Sequence, residues 1–171
     1  MDISKFGTQY SGDYARPNLF VVNIAQIDSA MWVKTATLPA TTVGVVEVPY
    51  QNRKLKVPGD RTFADWTATI INDEAYVVRK GLLDWQKNIV GFLDFKTSES
   101  VGKAHRSISI QPMKRSGGDT THSVTVYGWP SEVGAIDLSW ETVDAIQEYT
   151  VTFAVSWDDG GIDGGDVNVL G

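Results

Sequence analysis

Residues 50–86 read YQNRKLKVPGDRTFADWTATIINDEAYVVRKGLLDWQ, and the way this stretch divides decides the fold. Lys54 and Lys56 alternate with Leu55 and Val57, the period of a strand with one face in water. Pro58-Gly59-Asp60 offers a fixed φ, a residue free to take φ > 0 and a turn-capping carboxylate, so a tight turn is predicted there. Phe63–Ile71 is rich in Thr, Ile and aromatics and reads as the returning strand of a Lys54–Ile71 hairpin. Asn72-Asp73-Glu74 then supplies N-cap acceptors and places acids at the positive end of a helix dipole. From about Glu74 to Asn88 a helix is predicted, because Ala75, Val78, Leu82, Trp85 and Ile89 recur at spacings of three and four on one face. Gly91 reads as its stop.

Working outward, the flanks are short strands. Upstream, Pro17 forces Arg16 to be extended, and Asn18–Ile27 reads as a buried strand. Ala30–Thr37 is a second, ended by Leu38-Pro39. Val43–Val48 alternates weakly and meets Pro49, which suits a sheet edge or a bend. Downstream, residues 92–107 form a polar connection. Ser107–Met113 alternates strictly, Ser116-Gly117-Gly118-Asp119 is a turn, and Ser123–Gly128 returns as the partner strand. Trp129-Pro130 is expected to break the chain. Ala135–Glu141 is a further predicted strand, with Ile136, Leu138 and Trp140 on one face. Ile146–Trp157 is the longest alternating run, with Tyr149, Val151 and Phe153 facing one way and Glu148, Thr150, Thr152 and Ser156 the other. Such a strand is buried on one side and wet on the other. The expected class is mainly β (α+β), an antiparallel sandwich or barrel with one flanking helix.

At 171 residues the chain is read as a single domain, large enough to bury ~70% of its unfolded surface. Six Trp indicate a packed interior. No apolar run approaches the ~20 residues of a membrane helix, so no membrane insertion is expected. The N-terminus lacks the basic start and apolar core of a secretory signal. Zero cysteines exclude disulfides and Cys-ligated metals and suit a reducing compartment. Net charge is −6, which disfavours a protein that grips phosphates. Residues 1–16, with Phe6, Tyr10 and Tyr14 among polar neighbours, read as a loose terminus more readily than as an arm docked on a neighbouring subunit. Residues 158–171, rich in Gly and Asp, read as a mobile tail.

No chemistry emerges from the motifs. The fragment GGIDGGD at Gly160–Asp166 is one copy of a pattern that binds calcium only when stacked in several. It also lacks the EF-hand spacing and its terminal Glu. Gly102-Lys103 is not a phosphate loop, since the upstream Gly and the following Ser or Thr are missing. His105 and His122 fall in or beside predicted loops and are not read as ligands. Asp60, Asp65, Asp73 and Glu74 are explained by a turn, an ion pair with Arg61 and a helix cap, in preference to acid–base catalysis. No catalytic, cofactor or metal site is expected.

VPGDRTF-x-DWT at Val57–Thr67, IINDE at Ile70–Glu74 and the Arg79–Trp85 helix together closely resemble the tail tube proteins of T4-like contractile-tailed phages. ARPNLF at Ala15–Phe20, Trp129-Pro130 with Val133-Gly134, Leu138 with Trp140, and Ile146-Gln147 extend the resemblance over most of Ala15–Trp157. It implies a tail tube fold whose sheets join across subunits into a ring barrel of six copies, with rings stacked into a tube. It also implies a virion component made in the host bacterial cytoplasm. The partners implied are further copies of the chain and the sheath, baseplate, tape-measure and tail terminator proteins, with DNA passing through the lumen unbound. Tubes of phage-derived contractile injection systems share the resemblance, and a non-viral β-rich binding module is the reading outside it. The charged residues of the densest motifs nominate Arg16, Asp60, Arg61, Asp65, Trp66 and Arg79 as subunit-interface residues. The competing reading assigns them to turns and surface ion pairs within the protomer, worth ~0–1 kcal/mol each. Glu148, Thr150, Thr152 and Ser156 are nominated as lumen-facing.

Overall fold

The computed structural model describes residues 15–91, 101–116, 122–141 and 143–159. The predicted arm up to residue 14, most of the polar connection and nearly all of the Gly/Asp tail lie outside the described residues. Among those described are the strands β1 (Phe20–Ile24), β2 (Val33–Ala36), β3 (Thr41–Tyr50), β4 (Arg53–Phe63), β5 (Trp66–Ile71), β6 (Arg106–Pro112), β7 (Val124–Val133) and β8 (Glu148–Asp158). Helix α1 spans Val77–Ile89 and a short turn of helix, α2, Val101–Ala104.

Six strands form one antiparallel sheet in the order β1-β6-β7-β8-β5-β2. The sheet curls until its two edges, β1 and β2, lie near each other without a ladder between them. Ser29 sits buried beside β1 and occupies its outer edge. Its Oγ accepts from the Ile24 amide at 3.0 Å and its hydroxyl donates to the Val22 carbonyl at 3.2 Å. An edge left with unpaired amides invites foreign strands, and one hydroxyl here removes both a donor and an acceptor.

The alternation predicted for β8 holds along its first half: Tyr149, Val151 and Phe153 are buried while Glu148 and Thr150 are exposed. They join Val22, Ile70, Ile108 and Val126 from the other strands in one core. Helix α1 supplies Val78, Leu82 and Trp85 from its predicted apolar face. Trp85 packs against Phe153 with ring centroids 6.2 Å apart, and its indole N–H donates to the Ala104 carbonyl at 2.9 Å. A buried Trp needs such a partner, and α2 provides it.

The helix begins later than its sequence suggests. Asp73 does cap it, accepting from the Val77 amide at 2.9 Å, but Tyr76 stands in the left-handed region at φ 56° and delays the first turn. The Tyr76 hydroxyl and the Asn72 amide both donate to the Gln147 side-chain oxygen at 3.1 Å. The entry to α1 is thus tied to the start of β8.

Other predicted boundaries are corrected. Pro58-Gly59-Asp60 is not a turn; it lies inside β4, opposite Val45 and a register shift between Val43 and Val45. The turn is Gln51-Asn52, both at positive φ (41° and 63°), the backbone of a type I′ two-residue hairpin. Pro49 and Pro58 are tolerated because β3 and β4 form a separate two-stranded ribbon with no ladder beyond either strand. The predicted Phe63–Ile71 strand is divided at Ala64-Asp65 between β4 and β5. Trp129-Pro130 does not break the chain either: β7 runs through it, with Pro130 opposite Phe153 and the register shifting just beyond. A bulge spares the ladder the amide that Pro lacks. The strand predicted over Ala135–Glu141 does not form, because no strand among the described residues lies alongside to pair with it.

Candidate assembly surfaces

Each nominated interface residue has a definite place, and the fold does not gather them into one patch. Asp60 is exposed on β4, and Asp65 is exposed in the link to β5. Arg61, also on β4, donates to Asp158 Oδ1 at 2.9 Å and lies 5.3 Å from the Phe63 ring centroid. The expected Arg61–Asp65 pair is therefore replaced by one that ties the ribbon to the end of β8. Trp66 is corrected most sharply: it is 2% exposed, and its indole N–H donates to the Thr37 carbonyl at 2.7 Å. A side chain so committed to the core has no surface to offer a neighbour. Arg79 points inward as well. It donates to the Gly134 carbonyl at 2.8 Å and sits 4.9 Å from the Tyr149 ring centroid. Arg16 is exposed at a cavity of about 410 Å³, lined also by Leu19, Phe20, Ala36 and Leu38, at the seam between β1 and β2.

The nominated lumen residues share one sheet face, and that face extends beyond them. Thr150 stands opposite Thr69 of β5, Thr152 opposite Thr67, and Thr69 in turn opposite Thr35 of β2. Three strands thus present rows of hydroxyls and methyls without charge, which pair well across antiparallel strands. Glu148 lies at one end of the face and meets Lys34 Nζ at 2.5 Å. Ser156 lies at the other, its hydroxyl 2.8 Å from His105 Nε2. The His105 ring is edge-on to Trp129 and tilted against Trp157, which stacks on Tyr127.

Beneath the opposite face, burial pushes the Tyr149 phenol up to about 12; Arg79 lowers it by a smaller amount, and Asp73 adds to the rise. Its hydroxyl is buried without a hydrogen-bond partner. No group of His, Asp and Glu able to hold a metal occurs among the described residues. Nor does any helix there have the length and apolarity to cross a membrane.

Two surfaces escaped the sequence reading. The β3–β4 ribbon exposes Val43, Val45, Val46, Val48, Tyr50 and Leu55, so it has no buried face at all. Residues 134–141 and 143–147 expose Leu138, Val143 and Ile146, and Trp140 is 104% exposed. The available signal for the first was the weak alternation of Val43–Val48, since a ribbon that is apolar on both sides alternates poorly.

A nearly closed, antiparallel body carrying an uncovered apolar ribbon is the build of a subunit made for assembly. The comparisons with known proteins agree. The phage tail tube protein family model matches residues 9–156. Tail tube protein gp19 of Enterobacteria phage T4 is 37% identical over 150 residues, covering 86% of this chain and 92% of that protein. A chain of the sheath–tube complex of PVC, an extracellular contractile injection system, aligns at TM-score 0.63 and 14% identity, covering 92% of this chain and 96% of that one. A chain of the PVC sheath/tube terminator aligns at TM-score 0.67 and 13% identity, covering 87% and 97%. The chain belongs to the phage tail tube protein family, and its role is structural.

Proposed function

We propose that this protein is the repeating subunit of the inner tube of a contractile phage tail, where six copies form a ring and stacked rings form the conduit for DNA. The observation that carries the reading is the combination of family membership with a long ribbon whose apolar side chains none of the described residues covers. Contiguous exposed apolar surface of this kind marks a protein–protein contact, and a ring of subunits is the ordinary way to satisfy it. The tail sheath, baseplate, tape-measure and terminator proteins are the further partners, and the assembled protein resides in the virion after synthesis in the host cytoplasm. It does no catalysis.

Glu148, Thr150, Thr152 and Ser156 line the lumen in this reading. The threonine rows of this face carry no charge, Lys34 beside them is neutralised by Glu148, and the net charge of −6 repels phosphates. Exposed Asp60 and Asp65, with Arg16, remain as interface residues, while Arg61 and Arg79 act by holding the ribbon and Gly134 in place.

Negative-stain microscopy with size-exclusion chromatography tests the function. Long tubes or ring-sized oligomers are expected, and a protein that stays monomeric at high concentration overturns it. Replacing Glu148 and Thr150 by Lys tests the lumen: tubes still form and DNA ejection slows, whereas unchanged infectivity rejects the assignment. The fold likeness to injection-system chains favours a second reading, the tube of a phage-derived contractile injection system. Capsid and terminase genes nearby indicate a phage, and toxin cargo genes without them an injection device.

A further inference from the structure

The two uncovered surfaces differ in charge as well as position. Residues 41–63 carry the bases Arg53, Lys54, Lys56 and Arg61 against the acids Glu47 and Asp60. Lys54 is paired with Glu47 and Arg61 with Asp158. Among the described residues Arg53 and Lys56 have no ion-pair partner, and they stand beside exposed Val48, Tyr50 and Leu55. Residues 134–148 contain Asp137, Glu141, Asp144 and Glu148 and no base. Glu148 is taken by Lys34; the other three stand beside exposed Leu138, Trp140 and Val143.

A groove of about 420 Å³ opens between residues 135–139 and 145–148. It is framed on one side by a segment with the alternation of a strand and no strand beside it. Its base is fixed: the Gly134 amide donates to the Thr150 carbonyl at 2.8 Å, and its carbonyl accepts from Arg79 at the same distance. The start of the segment is therefore anchored to the body, and Ile136 packs against the core while Leu138 and Trp140 stay exposed.

We infer that the basic, apolar β3–β4 ribbon of one copy docks on the acidic, apolar surface of residues 135–141 and 143–147 of the next copy. This rests on the tube reading and names the two faces that meet within it. Apolar side chains of the ribbon cover Leu138 and Trp140, while Arg53 and Lys56 approach Asp137, Glu141 and Asp144. Complementary charge sets which surfaces meet and in what register. The contact is heterologous, since one face meets a different face, and such contacts either close into rings or run on as open stacks. It also gives the 135–141 segment the neighbour that the protomer lacks.

The chain contains no cysteine, so single cysteines report the contact cleanly. One chain carries Val45→Cys, Val48→Cys or Tyr50→Cys, and a second carries Trp140→Cys; all four positions are exposed. With a short bismaleimide, mixed covalent dimers are expected for at least one ribbon position, well above those formed by either chain alone. A second arm reverses charge. Arg53→Glu with Lys56→Glu, or Asp137→Lys with Asp144→Lys, each raise the concentration needed for assembly about tenfold or more, and combining all four in one chain restores it. Circular dichroism confirms that each variant is folded. Tubes that form with no excess of mixed cross-links, or charge variants that assemble like the parent, overturn the inference. So does normal tube formation with loss of sheath attachment alone, which assigns the surface to the sheath. If the unaltered protein forms no tubes, the tube reading itself fails, and the two failures are distinct.

Discussion

The barrel-like body and the β3–β4 ribbon are built from the same residue types and reach opposite ends. Val22, Val126 and Val151 in the body are wholly buried, while Val43, Val45, Val46 and Val48 in the ribbon are exposed. The strands of the ribbon, at 10 and 11 residues, are as long as any in the body. What separates them is the neighbour: β5, β6, β7 and β8 each have a strand on both sides, and α1 adds Val78, Leu82 and Trp85 to the core they share. A two-stranded ribbon alone is marginal in water. Its persistence here rests on the Gln51-Asn52 turn, the Arg61–Asp158 pair and the close approach of Gly44 to Asp60, where a Cβ would lie 3.2 Å from the Asp60 carbonyl oxygen. The body is stabilised by what it buries within one copy, and the ribbon is held ready for what a second copy will bury.

That contrast predicts a graded series. The largest effect belongs to Trp85→Ala in the body, which removes a fully buried indole and its hydrogen bond. Chemical denaturation should show a loss of about 3–5 kcal/mol, and a smaller loss would mean that α1 is not part of the cooperative unit. Gly128→Ala comes next. A Cβ there would stand 2.2 Å from the Ala154 carbonyl oxygen, so β7 and β8 must part, at a cost of about 1–3 kcal/mol by the same measurement.

Third is the pH dependence set by Tyr149. Its folded value of about 12 exceeds the ordinary 10.0, so the folded state retains a proton that the unfolded state gives up. Its contribution is fully present below pH 10 and is lost as pH rises through 12, a fall on the order of 1–2 kcal/mol. Tyr149→Phe should flatten that fall relative to the parent. At neutral pH it should leave stability unchanged or slightly higher, because the hydroxyl it removes has no partner. The smallest effect on the protomer should come from Val46→Ser in the ribbon, within about 0.5 kcal/mol, while tube formation seen by microscopy is lost. A protomer strongly destabilised by Val46→Ser would erase the distinction between the two regions.

Local pattern alone determined a good deal of this protein. The alternation of Tyr149, Val151 and Phe153, the helical spacing of Val78, Leu82 and Trp85, and the cap at Asp73 are written in residues near one another in the chain, so periodicity reveals them. The motifs around Val57–Thr67 and Ile70–Glu74 were enough to point to the family. Tertiary structure decided the rest. Pro58-Gly59-Asp60 has turn chemistry, yet it became strand because Val45 pairs opposite Pro58 and Gly59-Asp60 form a bulge opposite Gly44. Ala135–Glu141 has strand chemistry, yet it stayed irregular for want of a partner. Trp66 and Arg79 looked like surface residues of a conspicuous motif, but a carbonyl at Thr37 and another at Gly134 drew them inward. Residue patterns record what a segment can form, whereas which neighbour arrives to pair, bury or neutralise it is a property of distant parts of the chain and, for the ribbon, of another copy.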